Sequence, residues 1–157
     1  MNGGSEGIVI KYGDTGRPYL ENGMYISISH TDGYAAVYLS RSIPVGIDIE
    51  VRSPRALNLI SRFESEYGNI VLPDQATLCW SAKESIFKLL GPDLSDFKES
   101  MRVCRFNEMN PGKINVKLTD SRLGSSVVTD CLIDRDFVMT WTDSSKITRL
   151  QECCGCE

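Results

Sequence analysis

The segment PVGIDIEV, residues 44–51, sets two carboxylates, Asp48 and Glu50, two positions apart in a stretch otherwise rich in Val and Ile. Successive side chains of a strand point to opposite faces, so Asp48 and Glu50 share one face while Ile47, Ile49 and Val51 take the other. Taken alone, such a pair is more often a plain solvated face. The second stretch able to do chemistry is LCWSAKESIFKLL, residues 78–90. On a helix of 3.6 residues per turn it puts Leu78, Ala82, Ile86 and Leu89 on one stripe, with Cys79 and Leu90 at its border and Glu84 and Lys88 opposite. An exposed i,i+4 ion pair worth roughly 0.2–0.5 kcal/mol would account for Glu84 and Lys88. Trp80 and Phe87 flank that same side, however, and two large aromatics there imply a surface that meets a ligand or another part of the chain.

If Glu84 joins Asp48 and Glu50, three carboxylates converge, and each pair about 4 Å apart repels by roughly 4 kcal/mol at an effective dielectric of 20. A bound cation removes that cost. Oxygen ligation without histidine or cysteine selects a hard ion, Mg²⁺ or Mn²⁺, with coordination places left for water and phosphate oxygens. Lys88, one turn further along, is then placed to hold a phosphate. The single histidine, His30, ends MYISISH (residues 24–30) next to Ser29. A lone histidine is more often structural than catalytic, but a Ser-His pair at a strand end can also donate to a phosphate, as can Arg17 in the turn GRP.

These residues need elements to carry them. GIVIKYG (7–13), MYISISH, AAVYLS (35–40) and IPVGIDIEV (43–51) read as strands, the last three close together in sequence and expected to be antiparallel. Ser53 and Pro54 open a helix expected over 54–66, with Ala56, Leu57, Ile60 and Phe63 at the helical period. A second helix is expected from about Pro73 or Asp74 to Leu90, stopped by Gly91 and Pro92. MRVCRF, GKINVKL, SVVTDCLI and FVMTWTD then alternate as four more strands joined by turns, a meander. The fold class is α+β, an antiparallel sheet with packed helices.

At 157 residues, 41% hydrophobic and 24% charged, the chain suits one soluble domain, expected over 1–150, followed by a Cys-rich flexible tail, 151–157. A net charge of −4 argues against nucleic-acid binding. No apolar run approaches the roughly 18 residues that span a bilayer, and MNGGSEG has no basic start or apolar signal segment, so a cytoplasmic protein away from membranes is expected. In that reducing compartment Cys79, Cys104 and Cys131 are expected as small core residues, and Cys153, Cys154 and Cys156 as reduced thiols, their spacing lacking the paired CxxC of a zinc site.

Three motifs, GRPYL with SISH, then VGIDIE, then WSAKESIFK, resemble in order and separation those of the 4'-phosphopantetheinyl transferases, which move the phosphopantetheine arm of coenzyme A onto a serine of a carrier protein. The resemblance covers residues 16–90 and implies that family's fold. It implies that Asp48, Glu50 and Glu84 bind Mg²⁺ together with the pyrophosphate of coenzyme A, and that Lys88, with Lys83 the weaker candidate, neutralises developing phosphate charge. Ser29 and His30 match positions that contact the 3'-phosphate of coenzyme A in the longer, two-halved class, and Arg17 stands at its G-[KR]-P. Glu84 is the best candidate to take the proton of the attacking serine. In the longer class a substantial segment precedes G-[KR]-P, whereas fifteen residues precede Gly16 here. Two arrangements stay open: a compact monomer, or a homo-oligomer in which a second copy completes the pocket. The implied partners are coenzyme A and an acidic apo acyl or peptidyl carrier protein, for which Arg41, Arg52, Arg55 and Arg62 are the candidate landing patch. Two rival readings are a non-catalytic domain binding coenzyme A or the carrier, and another metal-dependent phosphohydrolase.

Overall fold

The computed structural model describes residues 7–53, 73–91, 101–106, 112–118 and 124–149. The helix expected over 54–66, with Arg55 and Arg62, and the tail 151–157 lie outside the described residues.

The chain opens with two antiparallel hairpins. β1 (Ile10–Tyr12) pairs with β2 (Pro18–Leu20), and β3 (Tyr25–Thr31) pairs with β4 (Tyr34–Ser40) across the turn at Asp32 and Gly33. The next strand, β5 (Val45–Val51), does not extend that second hairpin as its closeness in sequence suggests. It pairs instead with a strand almost ninety residues on, β9 (Phe137–Asp143), placing Asp48 opposite Thr140 and Glu50 opposite Val138. Between them run helix α1 (Pro73–Leu90), β6 (Met101–Phe106), β7 (Lys113–Leu118) and β8 (Ser125–Ile133). The meander β6-β7-β8-β9 forms as its alternation predicts, and the sheet order is β5-β9-β8-β7-β6, with β10 (Ile147–Arg149) pairing with β8. The fold is α+β, a mostly antiparallel sheet with a helix packed on it.

The two faces of β5 and β9 meet different neighbours. Ile47 and Ile49 pack with Phe137, Met139 and Trp141 against Ala36 and Tyr38 of β4. The opposite face receives α1, whose Leu78, Cys79, Ala82 and Ile86 close over Met101, Val103, Ile114, Val116, Val127 and Val138. Burying a side chain such as Ile86 in this way contributes roughly 1.5–3 kcal/mol each. β3 covers the free edge of β5 through side chains rather than a backbone ladder. The Ile47 N–H donates to Ser27 Oγ at 3.1 Å, and Ser29 Oγ donates to Asp48 Oδ1 at 2.8 Å. An edge closed in this way is shielded from pairing with another chain.

Gly46 explains why helix and strand come so close. A Cβ there would lie 1.9 Å from the Ser85 carbonyl oxygen, so only a glycine lets α1 lie on β5 at this point. Small side chains continue the seam, where the hydroxyls of Ser81 and Thr140 hydrogen-bond at 2.9 Å. Arg52, just past β5, ties down the other end of the helix. Its guanidinium bonds both carboxylate oxygens of Asp74, at 2.8 and 2.5 Å, and the carbonyls of Asp134 and Arg135. Arg52, expected in a landing patch for a carrier, has its guanidinium donors engaged within the fold.

Candidate functional site

Asp48, on the helix-facing side of β5, is only 3% exposed. Burial of a carboxylate demands strong partners, and Oδ1 has two: Lys88 Nζ at 2.8 Å and Ser29 Oγ at 2.8 Å. Its other oxygen, Oδ2, is buried with no hydrogen-bond partner. Glu50, two residues on, is half-buried, and its Oε1 accepts the Trp80 indole N–H at 3.0 Å. Trp80 thus flanks the carboxylates for a polar as well as an apolar reason, since a buried indole needs an acceptor.

Glu84 completes the group from α1. Burial, then the charge of Asp48 and more weakly that of Glu50, pushes its carboxyl above the usual range, and Lys88 opposes the rise. Glu50 is raised by burial and by Asp48, with Trp80 and Lys88 pulling back. The three carboxylates therefore sense one another, and Lys88 is a cation close enough to act on all three.

Arg17 and the end of α1 meet above this group. Arg17 Nη2 donates to the carbonyls of Lys88 at 3.0 Å and Leu89 at 3.2 Å, where a helix leaves its last carbonyls without partners. Gly91, at φ +82°, ends the helix, and its N–H returns to the Phe87 carbonyl at 2.8 Å. Arg17, His30, Ile26, Ile28, Phe87 and Lys88 line a cavity of about 340 Å³, within the range that holds small ligands.

The structure brings Asp48, Glu50, Glu84 and Lys88 together and places Arg17 and His30 at the adjoining cavity. Ser29 and Lys83 have surroundings of their own. Ser29 and His30 are strand neighbours, so they face opposite ways, and the Ser29 hydroxyl is given to Asp48 rather than held ready for a phosphate. Lys83 is 1% exposed, and its burial lowers its pKa, with Cys79 opposing the fall. One turn from Cys79, it sits on the core side of α1. Gly46 and the capping by Arg17 are not among the expectations from the sequence. Of these only Gly46 leaves a signal, a glycine inside a strand, which often marks close backbone approach.

Among the described residues no three His, Cys, Asp or Glu side chains are gathered closely enough to form a ready cation cage. The donor set nonetheless suits a hard cation. Asp48 offers a bare, buried oxygen, and the two neighbouring carboxyls are raised by burial and by the charge of Asp48.

A model of the 4'-phosphopantetheinyl transferase superfamily matches residues 44–142. The chain is 34% identical over 124 residues to a 4'-phosphopantetheinyl transferase of Bacillus subtilis, covering 73% of this chain and 54% of the relative. It is 31% identical over 105 residues to the transferase Sfp of Bacillus subtilis strain 168, covering 62% of this chain and 45% of that one. To the transferase gsp of Aneurinibacillus migulanus it is 29% identical over 99 residues, covering 58% and 41%. The chain spans about half the length of the curated relatives it matches. With the matched span running from Pro44 before β5 to Thr142 in its partner β9, and so enclosing the carboxylates and all of α1, the chain belongs to the 4'-phosphopantetheinyl transferase superfamily.

Proposed function

We propose that this protein transfers 4'-phosphopantetheine from coenzyme A to a serine of an apo acyl or peptidyl carrier protein, in a Mg²⁺-dependent reaction that releases adenosine 3',5'-bisphosphate. The observation that carries the reading is Asp48: a buried carboxylate with one bare oxygen, bonded to Lys88 and flanked by Glu50 and Glu84 beneath a cavity lined by basic side chains. Membership of the superfamily supports the reaction class, and a relative bearing the same transferase name supports it further.

In this reading Asp48, Glu50 and Glu84 hold the cation, which when bound polarises the pyrophosphate as a Lewis acid. Arg17 and His30 bind the anionic end of coenzyme A in the cavity. Glu84 takes the proton from the serine hydroxyl as its oxygen attacks the phosphorus on the pantetheine side of the pyrophosphate. A raised carboxyl is well suited to that task. The bond to the adenosine bisphosphate oxygen breaks, and Lys88 neutralises the charge that develops there. Residues 1–150 act as one domain of this type in the cytoplasm, alone or with a second copy completing the pocket.

The test is to incubate the protein with coenzyme A, Mg²⁺ and an apo carrier, then weigh the carrier by mass spectrometry. The expected result is a gain of one phosphopantetheine. An unmodified carrier beside hydrolysed coenzyme A would instead identify a phosphohydrolase, and tight binding without either product a non-catalytic binding domain.

A further inference from the structure

Lys88 belongs to two places. Its ammonium lies 2.8 Å from Asp48 Oδ1, and its side chain also lines the cavity shared with Arg17 and His30. Its backbone is held, since Arg17 bonds the Lys88 and Leu89 carbonyls and Gly91 closes the helix end. The movable part is the four-carbon stem, and the side chain is 28% exposed against 4% for that of Asp48. We infer that Lys88 is a built-in stand-in for the divalent cation at Asp48: it neutralises that carboxylate until the cation takes its place, then turns to the phosphates in the cavity. This inference rests on the proposed cation site.

Like charges crowded on one carboxylate repel, so Lys88 and a divalent ion compete for Asp48. Competition makes the linkage reciprocal. An anionic ligand that draws Lys88 into the cavity strengthens cation binding, and the cation frees Lys88 for the anion. Glu50 and Glu84 feel the same ammonium, so its departure leaves all three carboxylates more strongly attracting to the ion.

The test is Mn²⁺ titration followed by electron paramagnetic resonance, on wild type and Lys88→Met, with and without coenzyme A. Without coenzyme A the variant is expected to bind Mn²⁺ about tenfold more tightly than wild type, within the usual range of such couplings, and with coenzyme A the gap is expected to close. Equal or weaker Mn²⁺ binding by Lys88→Met without coenzyme A overturns the inference while leaving the cation site standing. A wild type that binds no Mn²⁺ in either condition overturns the cation site and the inference with it. If circular dichroism shows Lys88→Met unfolded, the ¹⁵N resonance of the wild-type Lys88 ammonium decides. It must shift on addition of Mg²⁺ alone, and a resonance that stays in place while calorimetry reports Mg²⁺ binding refutes the exchange.

Discussion

Glu84 is half-buried on α1, where burial and the neighbouring charges of Asp48 and Glu50 hold its carboxyl above the usual glutamate range. A raised carboxyl binds its proton more tightly in the folded than in the unfolded chain, so its contribution to stability falls as pH rises through the raised value. In EDTA at neutral pH, Glu84→Gln is therefore expected to melt higher than wild type. About 1 kcal/mol of relief would appear as roughly 2–4 °C in Tm, and the gain should vanish below the ordinary glutamate range. The same variant should lose transfer activity about 10²-fold or more, because a ligand to the reacting charge is gone. Higher stability with lost activity is the mark of a residue kept for function. Asp48, Glu50, Glu84 and Lys88 were legible in the sequence because strand alternation and helical period fix which side chains share a face. The burial of Lys83 was not legible, because adjacency to Glu84 in the motif hides a turn of about 100° per residue toward the core. The bond from Ser29 to Asp48 was not legible, because the carboxylate it serves lies on another strand.

The seam between β5 and α1 sets the geometry of the site, and Gly46 controls it. Gly46→Ala pushes a methyl into the Ser85 carbonyl, and neither backbone can yield without moving Asp48 or Lys88. Denaturant unfolding is expected to show a loss on the order of 3 kcal/mol, the upper end for overpacking. A variant within 0.5 kcal/mol of wild type, the scatter of ordinary surface substitutions, would mean that the seam is not close-packed. At this scale the sequence told much about existence and little about partnership. Every strand expected among the described residues is present, and α1 spans the expected residues, because turns and periodicity are local signals. The pairing of β5 with β9 was not legible, since neighbours in sequence usually pair and nothing local to β5 names a strand so far along the chain.

Across the whole molecule, charge supports the far side of the sheet as well as the site. Asp130 on β8 is bonded by Lys146 and by Lys113 at 3.2 Å. Burial tends to raise its pKa, but the two lysines outweigh burial and hold it below the usual aspartate value. A lowered carboxyl contributes stability that is present above the unfolded value and lost as pH falls through the folded one. Asp130→Asn is expected to destabilise by about 0.5–1 kcal/mol at neutral pH, the worth of a screened, partly exposed cluster. The difference from wild type in urea unfolding should shrink below the aspartate range; a constant difference would assign the loss to packing. No helix among the described residues is long and apolar enough to cross a membrane. The most direct measurement is the mass of an apo carrier protein after incubation with coenzyme A and Mg²⁺, using wild type and Asp48→Asn side by side. A phosphopantetheine gain with wild type that is absent with a folded Asp48→Asn is the predicted result. Equal gains with both proteins, or none with wild type, would contradict a transferase site built on Asp48.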